Sequence, residues 1–190
     1  MKHESLSYIQ EAVKKHEKEA AALSDHLAAN PEVAYEEFNS SRAMADLLKQ
    51  AGFQVTYPFA GYDTAFCGVL DNGDGPSVAI LTEYDALPGI GHGCGHNLHG
   101  SLSILTGLTL MELKEHFRGK VYVVGTPAEE ASGAKITMAS DGICFLQALF
   151  PQKCRVTSSK LHGEFPQYCI SPSGTLLGAG GEPLQAYKVY

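Results

Sequence analysis

Ser77-Val78-Ala79-Ile80-Leu81-Thr82 is a short, β-branched and nearly all-apolar run. It leads directly into Glu83-Tyr84-Asp85-Ala86-Leu87-Pro88-Gly89-Ile90-Gly91-His92-Gly93-Cys94-Gly95-His96-Asn97-Leu98-His99. The first run predicts a strand buried on both faces. Residues 97–117 then carry Leu102, Leu105, Leu108, Met111 and Leu113 and predict a long helix. The chain therefore goes strand, glycine-rich loop, helix, and a second buried strand is expected over 120–125.

The same periodicities extend outward. Residues 6–29 predict a helix through Ile9, Val13, Ala20, Leu23 and Leu27, ended by Asn30-Pro31. Residues 36–51 predict a second helix through Phe38, Met44, Leu47 and Leu48, stopped by Gly52. Strands are expected over 53–57 and 65–70. Asp71-Asn72-Gly73-Asp74-Gly75-Pro76 is a dense turn signal before the run at Ser77. This alternation predicts an α/β fold, a three-layer sandwich with a mostly parallel central sheet. Ligands bind such sheets where strands end and loops begin. Two loops stand out, 83–97 and 126–133. From Cys144 onward the periodicity fades, so 1–143 reads as one unit and 144–190 as a divergent tail.

Composition bounds the function. The 190 residues carry 14 Lys+Arg against 21 Asp+Glu, a formal charge of −7. That balance argues against nucleic acid or an anionic membrane as the main partner. The longest apolar runs are far short of the roughly 20 residues of a membrane-spanning helix. The N-terminus lacks a secretory signal's apolar core. Five irregularly spaced cysteines do not form a disulfide framework. A cytoplasmic protein is expected.

The chemistry sits in the two loops. Cys94, His92, His96 and His99 lie within a few positions of one another. Thiolate and imidazole are the preferred ligands of zinc and similar divalent metals. Cys94 and His96, two apart, can ligate together only in a loop before the helix, and Gly91, Gly93 and Gly95 allow that backbone. Glu129 and Glu130 close the other loop after Gly125-Thr126-Pro127-Ala128. One can bind a metal while the other takes a proton from activated water. Alternatively they are a solvated pair opening a helix; taken with the Cys-His loop, both readings stay open. Asp85 can orient a ligating histidine or simply cap its turn. His3, His16, His26 and His116 fall on predicted helices and read as ordinary surface or core residues. Cys67 reads as a buried strand residue.

These segments resemble a known family. Glu83 to Pro88, Gly91-His92-Gly93-Cys94-Gly95-His96-Asn97 and Gly125 to Glu130 are similar to the motifs of the dinuclear-metal amidohydrolases and peptidases: aminoacylases, carboxypeptidase G and, nearest, the p-aminobenzoyl-glutamate hydrolase and dipeptidase-like branch. Asn30-Pro31-Glu32 with Glu36 or Glu37 and Ser40 fits the N-terminal pattern, and Gly133-Ala134-Lys135 with Met138 and Gly142 fits the segment after the glutamate pair. The resemblance spans about 6–143. It implies a partial zinc-exopeptidase-like catalytic domain, with Cys94, His96 and Glu130 as metal ligands, Glu129 as general base and Asp85 in support of the first loop. It implies a divalent metal, zinc foremost, with manganese, cobalt or nickel as alternatives. It implies hydrolysis of the amide bond of a small N-acyl amino acid or dipeptide. Longer family members dimerise through an inserted domain absent here, and they carry further ligand histidines. Leu149-Phe150-Pro151 stands near the place of one without a histidine, and the surroundings of His162 do not match. The alternative is thus a truncated, non-catalytic remnant, as a shifted reading frame after about Ile143 would produce, and the isolated chain is expected to be inactive.

Overall fold

The computed structural model describes residues 2–131, 133–140, 169–170 and 176–177. Helix α1 runs Lys2–Ala29 and α2 runs Phe38–Ala51. Strands β1 (Gln54–Thr56), β2 (Phe66–Asn72) and β3 (Ser77–Thr82) follow. Helix α3 (His96–Glu112) leads through a short 3-10 turn, Lys114–His116, into β4 (Gly119–Gly125), and α4 covers Ala134–Ser140. Beyond these, Cys169–Ile170 (β5) pairs antiparallel with Leu176–Leu177 (β6). The divergent tail expected over 144–190, with His162 and Leu149-Phe150-Pro151, otherwise lies outside the described residues.

The α/β class holds. The sheet order is β1-β2-β4-β3. Only β3 and β4 pair in parallel; β1–β2 and β2–β4 are antiparallel. The sheet is therefore mixed where mostly parallel pairing was expected. The reason is the connection at the turn after β2. It does not fold β3 back onto β2 but carries it one strand further, and the right-handed strand–helix–strand unit through α3 then inserts β4 between them. The turn passes close over the start of β4. A Cβ on Gly119, whose φ is +119°, would lie 2.0 Å from the Pro76 carbonyl oxygen.

Helices α2 and α3 pack on the sheet, and α1 packs on α3. Leu27, Met44, Leu48, Phe66, Tyr84, Ile104 and Val123 are fully buried in one cluster. Close approach needs small residues on both sides: a Cβ on Gly68 would meet Leu48, and one on Gly107 would meet Val123 and Leu48. Gly52 ends α2 in the left-handed conformation, as its sequence predicts, donating to the Leu48 and Lys49 carbonyls. Strand β3 was expected to be buried on both faces, but it is the edge strand of this sheet, and Val78 remains 48% exposed. Its all-apolar composition reports side-chain character and not the number of neighbours.

The parallel pairing positions the site. Thr82 and Gly125 are register partners at the carboxyl ends of β3 and β4. The Thr126 amide and hydroxyl both donate to the Thr82 carbonyl, at 2.9 and 3.1 Å. The loops 83–95 and 126–133 therefore leave the sheet side by side.

Candidate metal centre

His96 opens α3 and is buried. The residue before it, Gly95, has φ +78°, which turns the loop sharply into the helix. The His96 Nδ1 lies 2.9 Å from the Asp85 carbonyl oxygen and 3.0 Å from Asp85 Oδ1. Both are acceptors, so Nδ1 carries the proton and Nε2 offers its lone pair outward.

Around that lone pair the acids gather. His96 Nε2 is 3.6 Å from Glu130 Oε1 and 3.4 Å from Glu83 Oε2. One ligand atom from each of His96, Glu129 and Glu130 falls within 4.8 Å of the others. Tetrahedral zinc with bonds of about 2.0–2.1 Å holds neighbouring donors about 3.4 Å apart, so the His96–Glu130 spacing suits a divalent ion. Donor chemistry and charge agree: imidazole, carboxylates and a nearby thiol surround the spot, with Lys135 the described cation among them.

Asp85 holds both loops. It is 1% exposed, and while Oδ1 meets His96, Oδ2 accepts the Glu130 amide at 2.8 Å. One buried carboxylate thus sets the imidazole and the backbone of the glutamate pair at once.

Cys94 is exposed and stands beside Glu130. Its thiol donates to that carboxylate, which is the main reason its pKa is pushed up; burial and the charges of Glu130, Glu129 and Asp85 add to this. The tight three-residue group does not include the thiol.

The other sequence candidates separate. His99 accepts the Glu83 amide at 3.1 Å through Nδ1, so that nitrogen is engaged. His92 lines a cavity of about 640 Å³ together with Ala28, Pro31, Val33 and Ile90. Burial, with the neighbouring His96, pushes its ring pKa down. Among the helical histidines, His16 pairs with Glu112 at 3.3 Å, His26 lies 3.4 Å from the Asn30 amide, and His116 stacks on Tyr8. Cys67 is buried in β2, and burial pushes its thiol up to about 11.

Two further residues belong to the setting. Lys135 forms a close ion pair with Glu83 and lies 3.9 Å from Glu129. Glu83 is held below its ordinary range: burial alone would raise it, but the Lys135 hydrogen bond and the charges of Lys135, His99 and His96 outweigh that. The sequence places Lys135 in a family-like segment without giving it a role; it acquires one because α4 folds back toward the end of β3.

The chain is 30% identical over 159 residues to a p-aminobenzoyl-glutamate hydrolase polypeptide of Escherichia coli (strain K12), covering 74% of this chain and 33% of that protein. It is 37% identical over 134 residues to the Xaa-Arg dipeptidase of Mus musculus, covering 64% and 31%. The chain spans about a third of the length of these curated relatives. A structure described as an aminohydrolase from methicillin resistant Staphylococcus aureus superposes with TM-score 0.65 at 27% identity, over 72% of this chain and 39% of that one. Bacillus subtilis YXEP, a dinuclear metal binding peptidase from the M20 family, shares the fold with TM-score 0.62 at 24% identity, over 68% and 40%. The model of peptidase family M20/M25/M40 matches residues 79–176, which begin in β3 and include both loops of the centre. With a little over half of its length in that match and its acids gathered around His96, the chain belongs to peptidase family M20/M25/M40.

Proposed function

We propose that this chain carries the metal-binding half of an amidohydrolase acting on N-acyl amino acids or dipeptides, with zinc as the metal. The observation that carries the reading is the convergence of His96, Glu129 and Glu130 on one point, with Asp85 fixing the imidazole. His96 Nε2, Glu130 and, after loss of its proton, Cys94 would hold the ion. When bound, the ion supplies a Lewis acid that acidifies water and polarises the scissile carbonyl. Glu129, the more exposed acid of the pair at 40%, takes the proton at a carboxylate oxygen and returns it to the leaving amine. Asp85 keeps the His96 tautomer and draws the Glu130 amide into register.

In this reading residues 1–143 are the N-terminal part of a catalytic domain, and the protein works in the cytoplasm without nucleic-acid or membrane partners. Among the described residues no helix is long and apolar enough to cross a membrane. Among the described residues the donors suit one ion, so in this reading the chain by itself binds metal with little or no turnover. Dimerisation belongs, in this reading, to the longer relatives.

Metal analysis of the purified chain, paired with hydrolysis assays on N-acetyl amino acids, dipeptides and p-aminobenzoyl-glutamate, tests this. Zinc is expected near one equivalent. Glu129→Gln is expected to keep the metal and abolish any hydrolysis seen. A chain that retains no divalent metal after dialysis would overturn the reading.

A further inference from the structure

Glu37 stands just before α2 and is fully buried, yet its side chain does not cap that helix. Glu32 does so instead: it accepts the Asn39 amide at 3.0 Å, the Ser40 amide at 2.7 Å and the Ser40 hydroxyl at 2.6 Å. The Glu37 carboxylate is thereby free to reach the second loop of the centre. Its Oε1 accepts the Ala128 amide at 2.8 Å, and its Oε2 accepts the Thr64 hydroxyl at 2.9 Å.

Ala128 is the residue before Glu129. It is fully buried and adopts a left-handed backbone with φ +61°. That conformation is strained for an alanine, because its Cβ crowds the following carbonyl oxygen. The Ala128 carbonyl closes the loop by accepting the Gly133 amide at 2.9 Å and the Ala131 amide at 3.2 Å. Glu129 and Glu130 thus sit inside a turn whose first residue is strained and whose amide is held by Glu37.

We infer that Glu37 is a positioning residue: through the Ala128 amide it holds the left-handed turn that aims Glu129 and Glu130 at His96. The inference rests on the metal-centre reading. A purely structural role fits the chemistry less well. Burial pushes the Glu37 carboxyl above its ordinary range, although its own amide, the Ala128 amide, the Thr64 hydroxyl and the Tyr35 amide all stabilise the charge. An apolar side chain would fill such a space at lower cost. The acceptor is explained if it is needed where the Ala128 amide points.

Two measurements on the full chain test this. Hydrogen–deuterium exchange without metal reads the loop, and cobalt(II) titration reads the centre. Glu37→Met removes both acceptor oxygens at similar volume. It is expected to speed exchange at 128–130 about tenfold or more, with α3 unchanged, and to weaken cobalt binding by about 10- to 100-fold. Ala128→Gly removes the strain, so the E37M/A128G pair should recover about tenfold of the lost affinity. Glu37→Gln keeps an acceptor for the Ala128 amide and should stay within about threefold of the parent. Unchanged exchange at 128–130 in E37M, or a cobalt loss that A128G does not recover, would overturn the inference. If the parent binds no cobalt, the metal reading fails while the exchange measurement still decides the role of Glu37. Should E37M not fold, Glu37→Asp, which withdraws the carboxylate by one methylene and keeps its charge, carries both measurements with the same criteria.

Discussion

Replacing Asp85 by asparagine separates the metal-centre geometry from mere family ancestry. Asp85 accepts two hydrogen bonds at once, from His96 Nδ1–H at 3.0 Å and from the Glu130 amide at 2.8 Å. Asparagine has one acceptor oxygen, so one of these donors must face an NH₂ group. Each bond to the buried carboxylate is worth about 1.5–3 kcal/mol. If that loss falls on the positioned ligands, metal affinity drops by roughly 10- to 100-fold, since about 1.4 kcal/mol is a factor of ten. Thermal melting with zinc reads this directly. At zinc equal to 100 times the parent Kd, the parent gains about 2.7 kcal/mol of stability; a variant bound 100-fold more weakly gains only about 0.4 kcal/mol. At roughly 3 °C per kcal/mol, the zinc-induced shift falls from about 8 °C to about 1 °C. A variant that keeps its zinc affinity within about threefold, with the parent's melting shift, would refute the claim that Asp85 organises the centre.

Further outcomes follow from the same contacts. Cys94 is exposed, but Glu130 pushes its thiol pKa up, so the metal-free chain should be alkylated slowly at neutral pH; Glu130→Gln should move the pH–rate profile of Cys94 to lower pH, and an unmoved profile would contradict the thiol–carboxylate contact. Lys135→Met should cost about 1 kcal/mol at neutral pH by freeing Glu83. Because the folded pKa of Glu83 is depressed, that contribution is present above the ordinary glutamate value of 4.5 and is lost as pH falls through the folded one, so parent and variant urea melts should converge in acid. Gly119→Ala should cost roughly 3 kcal/mol or more, because its Cβ would meet the Pro76 carbonyl in a backbone already at positive φ; a urea midpoint close to the parent's would show that the turn can move aside.

Much of this molecule is written locally. The helices α1 to α3 and the strands follow from the spacing of Leu23, Leu27, Met44, Leu48 and Leu108 and from short β-branched runs, because burying one face imposes a period on nearby residues; Leu102, part of the same expected pattern, is instead exposed. Gly52 and Asn30-Pro31 mark ends that any fold containing these helices would share. The donor types of Cys94, His96, Glu129 and Glu130 were legible, since donor type belongs to the side chain itself, while the glutamate pair also fitted a solvated helix opening.

What lay beyond the sequence concerns residues far apart in it. No periodicity states that β4 enters between β2 and β3, which makes the sheet mixed and leaves β3 at its edge. That order brings Thr82 beside Gly125 and the two loops together. Glu37 and Ala128 are 91 positions apart, Asp85 and Glu130 45, and Glu83 and Lys135 52. Whether such pairs meet depends on strand order and loop direction. Local patterns record how well each residue suits burial or exposure, so the donor types and a histidine-orienting reading of Asp85 were available in advance, but not that Asp85 also reaches the Glu130 amide or that Glu37 reaches the Ala128 amide.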